Sequence, residues 1–152
     1  MSNQGPERRR IRVAAYAVAA DDAGRILLCR TAPGVVAQQT WLLPGGGLAF
    51  GEAPEAAVLR ELGEEAGLTG EVLRLLDVND RLLDRIDDDG EPVRLHAIRI
   101  IYQVRVTGGE LRDEADGSTD TCQWVAPEAA AHLHLGDLAR RALRLLEAAP
   151  DA

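Results

Sequence analysis

The chain of 152 residues has no lysine and few aromatic residues. All 17 of its basic residues are arginines, aromatics make up 3%, and the net charge is −8. Because a protein that coats duplex nucleic acid needs a basic surface for the phosphates, this balance argues against such a partner. No apolar run approaches the roughly 18 residues that span a bilayer, so we expect no membrane partner. We expect a cytoplasmic protein.

Cysteine is also scarce. Cys29 and Cys122 are far apart in the chain, and their spacing is not that of a metal site. Two thiols do not make a disulfide framework, although a single disulfide stays open at this stage. We expect both cysteines to be core residues, because unpaired cysteine behaves as a small apolar side chain.

The first 20 residues allow two interpretations. Three arginines, Arg8 to Arg10, precede an apolar stretch over 11–20 that contains Ala17-Val18-Ala19, a pattern typical of signal-peptide cleavage sites. However, Arg12 interrupts the apolar stretch, and alanine is only weakly hydrophobic. We therefore interpret 11–20 as a first strand. The organisation that we predict is a flexible tail over 1–9 and one domain over 10–152, a length that suits a single core.

Residue patterns predict a mixture of strands and helices. A hairpin is expected around Asp22-Ala23-Gly24, and Pro54 and Gly67 are typical of the start and the end of a helix. The predicted strands cover 11–20, 25–30, 41–43, 72–83, 93–106 and 122–125, and the predicted helices cover 54–66, 127–132 and 138–149. The strand over 72–83 is expected to bend or end near residues 79–80. These elements indicate a mixed α/β or α+β layer fold.

Three glutamates share one face of the predicted helix. Glu61, Glu64 and Glu65 lie at positions i, i+3 and i+4, and we expect all three carboxylates to face outward while the other side of the helix packs on a sheet. Two carboxylates 4 Å apart repel by about 1 kcal/mol in water and by about 4 kcal/mol at an effective dielectric constant of 20. A hard divalent cation turns that repulsion into attraction. On its own, however, such a trio is more often a solvated helix face.

The residues around the three glutamates form a longer pattern that is more specific than the glutamates alone. From Gly46 to Leu68 the sequence reads GGLAFGEAPEAAVLRELGEEAGL. It resembles the signature of the Nudix hydrolase family, which is Gly, five residues, Glu, seven residues, and then Arg-Glu-aliphatic-x-Glu-Glu-x-Gly-aliphatic. Every position of the signature is matched without a gap, by Gly46, Glu52, Arg60, Glu61, Leu62, Glu64, Glu65, Gly67 and Leu68. A match of this length is far more specific than a lone acidic cluster.

The resemblance implies a fold and a metal site. The fold would be a Nudix-type α/β/α sandwich, with a mixed curved sheet between helices. Glu61, Glu64 and Glu65 would be the metal ligands, binding Mg²⁺ with Mn²⁺ as a substitute. Glu64 and Glu61 would act in catalysis together with Arg60, which orients the carboxylates, and Glu52, which assists at the metal site or braces it. For Arg60, an ordinary surface pair with Glu64 is the alternative.

The resemblance also suggests residues that bind substrate. Gly45 and Gly46, in the glycine run that ends at Gly47, would form a backbone turn close to metal and phosphate. Arg30 would meet a substrate phosphate, unless it simply faces solvent. One further acidic residue of a later loop would reach the metal, and the candidates are Glu114, Asp116 and Asp120.

The implied reaction is Mg²⁺-dependent hydrolysis of a phosphoanhydride bond in a nucleoside diphosphate that is linked to another group. The substrate would be a small nucleotide, either a nucleoside triphosphate, including oxidised ones, or a nucleotide sugar. The alternative is a Nudix-like sensor that binds a nucleotide without cutting it; all four signature glutamates are present, which favours the enzyme. A homodimer is implied by the resemblance alone.

Overall fold

The computed structural model describes residues 5–114 and 117–148, and this part of the chain forms seven strands and three helices. The strands are β1 (Arg9–Ala19), β2 (Ile26–Thr31), β3 (Trp41–Leu42), β4 (Gly45–Gly47), β5 (Leu68–Ile86), β6 (Pro92–Gly109) and β7 (Thr119–Val125). The helices are α1 (Pro54–Ala66), α2 (Pro127–Ala130) and α3 (Asp137–Ala148). Neither α1 nor α3, the longest described helices, is long and apolar enough to cross a membrane.

The strands form two sheets. A mixed four-stranded sheet has the order β4-β1-β6-β5, in which β1 and β6 run parallel and the other neighbours antiparallel. An antiparallel three-stranded sheet has the order β3-β2-β7. The expected curved mixed sheet with helices is therefore confirmed.

The predicted hairpin between the first two strands is wrong. β1 and β2 belong to different sheets, and only the isolated bridge Ala20↔Ile26 joins the ends of this pair. Because Ile26, Leu27 and Leu28 are all buried, β2 has to be covered on both faces, and it lies at the centre of the second sheet between β3 and β7. The turn at 21–25 thus carries the chain from one sheet to the other.

The core lies on both sides of the strands. Alternate residues of β1 point in opposite directions, as the strand geometry requires. Ala15, Ala17 and Ala19 pack with α1, whereas Val18 packs with α3. Small side chains on β1 let α1 approach closely. Leu62, fully buried against this alanine row, contributes on the order of 1.5–3 kcal/mol.

A long hairpin of β5 and β6 extends the four-stranded sheet. β5 continues to Ile86, beyond the predicted bend near 79–80, because its pairing with β6 continues after three register shifts in its first half. At the same end of the sheet, β1 begins at Arg9, inside the segment predicted as a tail. Arg8 makes ion pairs with Asp87 and Asp89 in the turn of the hairpin.

Candidate active site

The helix α1 has the predicted bounds, and its ends have local causes. Pro54 occupies the first turn, where a missing N–H costs nothing, and Gly67 ends the helix with a φ of +73°. A side chain would be strained at that angle. These two residues fix the position of the glutamates along the sheet.

Arg60 is the centre of the site. Its guanidinium binds Glu52 through two hydrogen bonds of 2.8 and 2.9 Å, and it donates to the Glu61 carboxylate at 3.1 Å and to Glu64 at 3.2 Å. It also donates to the Gly47 carbonyl at 3.1 Å. One cation thus joins the helix, the loop before it and β4, which is far more than a surface pair with Glu64.

Glu52 is held in its charged form. The hydrogen bonds from Arg60 lower the pKa of its carboxyl from 4.5 to about 2, with help from the Ala49 N–H. In return, the hydrogen bonds to Glu52 are the largest of the effects that raise the pKa of Arg60 above its ordinary value. This geometry is that of a brace: Glu52 orients Arg60, and Arg60 orients Glu61 and Glu64.

The glycine run forms the short edge strand β4, paired with β1, where a turn was expected. The Glu61 carboxylate lies directly over Gly46, so that a Cβ at this position would be 2.7 Å from its Oε1 atom. On the other face of β4, a Cβ on Gly47 would be 3.2 Å from Nε of Arg12. The absence of side chains therefore lets a carboxylate and a guanidinium approach the same strand from opposite faces.

The three glutamates of α1 differ in exposure. The Glu64 side chain is 53% exposed and that of Glu61 15%, while Glu65 is buried at 7%. The sequence predicts that all three face outward, and this is wrong for Glu65. Shared spacing places the three on one side of the helix, but the way in which α1 packs on the sheet decides how deep each one lies.

Burial raises the pKa of the Glu65 carboxyl to about 8, and the neighbouring Glu61 carboxylate adds to the effect. The Gly45 N–H donates to Glu65 at 3.2 Å and acts in the opposite direction. A carboxylate that is buried beside another carboxylate is stabilised by a cation. Glu61, Glu64 and Glu65 offer the oxygen ligands that a hard divalent ion prefers, so the donor set fits such a metal.

Of the acidic candidates in the later loop, Glu114 lies near this cluster and Asp120 is paired elsewhere. Glu114 lies close enough to Glu65 for its charge to raise the Glu65 pKa further. Asp120 instead accepts hydrogen bonds from Arg30 and from Gln39. Asp116 lies outside the described residues.

Arg30, the expected phosphate contact, is held by protein groups. Its guanidinium binds Asp120 through two hydrogen bonds of 2.9 and 2.8 Å and lies 5.7 Å from the centre of the Trp41 ring. This pairing joins β2 to β7. The sequence offers no signal for it, since the two residues are 90 positions apart.

The sequence left one feature of the site open and missed another. Cys29 and Cys122 are core residues, as expected, and they are also joined by a disulfide between β2 and β7. Their sulfur atoms and a Glu65 carboxylate oxygen lie within 4.8 Å of one another. Arg12, next to Gly47, is the second feature. Both depend on the pairing of distant strands, which residue spacing does not encode.

Comparisons with known proteins agree with this geometry. The family model for the NUDIX domain matches residues 10–147. An RNA pyrophosphohydrolase from Saccharophagus degradans is 33% identical over 138 residues, which cover 83% of this chain and 79% of that protein. Nucleoside triphosphatase NudI from Escherichia coli is 32% identical over 129 residues, covering 80% and 87%. The crystal structure of a MutT Nudix hydrolase from Burkholderia pseudomallei superposes with a TM-score of 0.68 at 31% identity, covering 90% and 98%.

The fold and the glutamate helix thus define a hydrolase that acts on acid anhydrides. The chain belongs to the Nudix hydrolase family. The family predicted from residues 46–68 is confirmed.

Proposed function

We propose that this enzyme hydrolyses a phosphoanhydride bond of a nucleotide with the help of Mg²⁺ held by Glu61, Glu64 and Glu65, with Mn²⁺ as a substitute. The observation that carries the proposal is the set of hydrogen bonds from Arg60 to Glu52, Glu61 and Glu64. A solvated helix face needs no such organisation.

Hydrolases of this family generally use divalent metal ions. Such an ion neutralises phosphate charge and makes the attacking water more acidic. The residues of the chain supply the rest: Arg60 keeps two glutamates in place against their mutual repulsion, Gly46 leaves room for Glu61, and Glu52 keeps Arg60 oriented. Water then attacks a phosphorus of the diphosphate, and the bond to the bridging oxygen breaks. The carboxylate of Glu114, which lies close to Glu65, is a further candidate metal ligand.

The substrate that we propose is a nucleotide with a triphosphate or a substituted diphosphate. Support comes from the relatives, one called an RNA pyrophosphohydrolase and others nucleoside triphosphatases. Oxidised nucleoside triphosphates and nucleotide sugars belong to the same reaction class. Arg30 as a phosphate contact, Gly45 and Gly46 as substrate-binding residues, a homodimer and a cytoplasmic location stay predictions from the sequence.

The substitution Glu64→Gln tests the proposal. It removes one charge at the most exposed of the three glutamates, so the fold should survive while kcat falls by about a hundredfold or more. Glu55→Gln, on the exposed first turn of the same helix, is the matched control and should keep full activity. The measurement is release of phosphate or pyrophosphate from a nucleotide panel with Mg²⁺.

Two outcomes would contradict the proposal. If Glu64→Gln retains wild-type turnover, the glutamate trio does not carry the reaction. If the wild-type protein cleaves nothing in the panel but binds a nucleotide, the protein is the non-catalytic sensor that was considered as the alternative.

A further inference from the structure

A disulfide lies against the glutamate helix. Cys29 of β2 and Cys122 of β7 are opposite each other in the three-stranded sheet, and their sulfur atoms are bonded. Both cysteines are buried, and they belong to the same core cluster as Ala57, Leu62 and Ala66 of α1. Because protein interiors are close-packed, a change at the two sulfur atoms is felt by the helix that packs on them.

Glu65 is the residue of α1 that meets this disulfide. The Sγ atom of Cys122 lies 3.4 Å from the main-chain carbonyl oxygen of Glu65. An oxygen of the Glu65 carboxylate lies within 4.8 Å of the sulfur atoms of both Cys29 and Cys122. Glu65 is buried, whereas Glu64 of the same cluster is largely exposed. Glu65 therefore connects the disulfide to the proposed metal site.

The two oxidation states of the cysteines differ in what they offer to Glu65. A disulfide has no proton to donate, so its sulfur atoms do not compete with a metal for the carboxylate. Reduction breaks the S–S bond: a small dithiol supplies two electrons and two protons, each cysteine sulfur becomes a thiol, and the dithiol becomes a disulfide itself. The protein then holds two S–H donors, and the two sulfur atoms separate to van der Waals distance.

Both changes act on Glu65. A thiol that donates to the Glu65 carboxylate holds it at the sulfur atoms, so its oxygen lone pairs are less available to a cation. The Cys122 thiol is also within reach of the Glu65 main-chain carbonyl. The wider spacing of the sulfur atoms has to be accommodated in their packing with α1. Reduction should therefore weaken the part that Glu65 takes in metal binding.

The position of β7 gives a reductant a way to reach the buried bond. β7 is an edge strand of the three-stranded sheet, whose order is β3-β2-β7. Proteins open locally at a lower free energy than that of global unfolding, and an edge strand has a neighbour on one side only. Because neither cysteine belongs to the four-stranded sheet, opening of β7 can expose Cys122 while that sheet stays paired.

We propose that the pair of Cys29 and Cys122 is a redox switch of metal affinity. The oxidised pair leaves the Glu65 carboxylate available to the divalent ion, and the reduced pair holds it back and weakens binding of the ion. The two cysteines are positioning residues, since they act through Glu65 and not on the substrate. This inference rests on the proposed function, because it takes Glu65 to be a metal ligand.

Binding of Mn²⁺ to the full chain in both oxidation states tests the proposal. The protein is prepared with a dithiol reductant or with a disulfide oxidant, and alkylation should find two free thiols in the first sample and none in the second. The paramagnetic resonance signal of unbound Mn²⁺ gives the dissociation constant. We expect the reduced protein to bind Mn²⁺ about three- to tenfold more weakly, which is the effect of one competing hydrogen bond.

Kinetics separate this effect from a loss of stability. The Mg²⁺ concentration that gives half-maximal hydrolysis should rise by the same factor after reduction. In contrast, kcat at saturating Mg²⁺ should stay unchanged, because excess metal displaces the thiol from the carboxylate. A disulfide with a purely structural role would change the melting temperature and leave the Mg²⁺ dependence as it is.

Three variants assign the effect to Glu65. The double variant Cys29→Ser with Cys122→Ser keeps two donors but cannot form the bond, so it should bind Mn²⁺ like the reduced protein under both conditions. Glu65→Gln should bind Mn²⁺ weakly and equally under both conditions. Glu64→Gln is the matched control on the exposed side of the cluster: it should weaken binding but keep the ratio between the two oxidation states.

The switch is overturned if the two oxidation states of the wild type bind Mn²⁺ equally, if Glu65→Gln retains the difference between them, or if the pair cannot be reduced without unfolding the protein. Absence of Mn²⁺ binding in both states would overturn the proposed metal site, and the switch with it. Hydrolysis that depends on Mg²⁺ in the same way in both states would overturn the switch alone.

Discussion

The two faces of β4 are built in opposite ways. On one face, Glu61 lies over Gly46 within a cluster that comes from a single stretch of 23 residues, and one arginine, Arg60, holds that cluster together. On the other face, Arg12 lies against Gly47 in a cleft whose walls come from β1, β5, β6 and α3. The acidic residues on the first face are joined by hydrogen bonds to one arginine, whereas the residues on the second face come from separate elements. Single substitutions should therefore disable the first and only weaken the second.

The largest difference is expected between two arginines. Arg60→Ala removes hydrogen bonds to Glu52, Glu61 and Glu64 at once, so kcat should fall by about a hundredfold or more. Arg12→Ala should raise KM by about tenfold with kcat nearly unchanged, because a guanidinium beside β4 attracts substrate phosphates and its loss removes binding that substrate and transition state share. Steady-state kinetics of both variants measure this, and Arg144→Ala, on the exposed face of α3 outside the cleft, is the control. A fall in kcat for Arg12→Ala of the same size would erase the distinction between the faces.

Adding a single Cβ atom at Gly46 or at Gly47 tests the two faces of β4 separately. A Cβ at position 46 would be 2.7 Å from the Glu61 Oε1 atom, so Gly46→Ala should displace the carboxylate and lower kcat by about tenfold or more. At position 47 the new Cβ would meet the end of the flexible Arg12 side chain at 3.2 Å, and kcat should change by less than about threefold.

Both glycine variants should keep the wild-type melting temperature, since the atoms that must move are the ends of side chains. Thermal unfolding is therefore the control for the kinetics. Equal losses of activity in the two variants would show that the glycines serve the strand itself and not the groups on its faces.

The sequence predicted features that depend on neighbouring residues better than features that depend on the packing of distant elements. The helix over 54–66 and the family were predicted correctly because capping residues and signature spacing are local properties. The burial of Glu65 was not, because helical spacing shows which residues share a side but not how the helix is turned against a sheet. The hairpin of β1 and β2 was wrong because two adjacent strands can join different sheets, and the choice depends on β3, β4, β6 and β7.

The pair of Arg30 and Asp120 offers a smaller effect that separates a structural role from a role in binding. The two side chains are 37% and 26% exposed, so solvent screens their ion pair and the pair should stabilise the fold only slightly. Arg30→Ala and Asp120→Asn should each lower the free energy of unfolding, and the double variant should lose little more than either single one. If Arg30→Ala instead raises KM about tenfold while Asp120→Asn does not, Arg30 binds the substrate, as the sequence predicts.

The smallest effect is expected on the free energy of unfolding at acid pH. It tests whether the ion pair of Glu52 with Arg60 forms in the absence of metal. Because Arg60 lowers the pKa of Glu52 from 4.5 to about 2, the folded state keeps this carboxylate charged where the unfolded chain protonates it. The resulting stabilisation is complete above pH 4.5 and is lost as the pH falls towards 2. Glu52→Gln should therefore show a shallower loss of unfolding free energy over this range in EDTA than the wild type, with Glu55→Gln as the control for removing one carboxylate. Parallel curves for the wild type and Glu52→Gln would mean that the ion pair of Glu52 with Arg60 does not persist in solution, and the cluster would then depend on its cation for order.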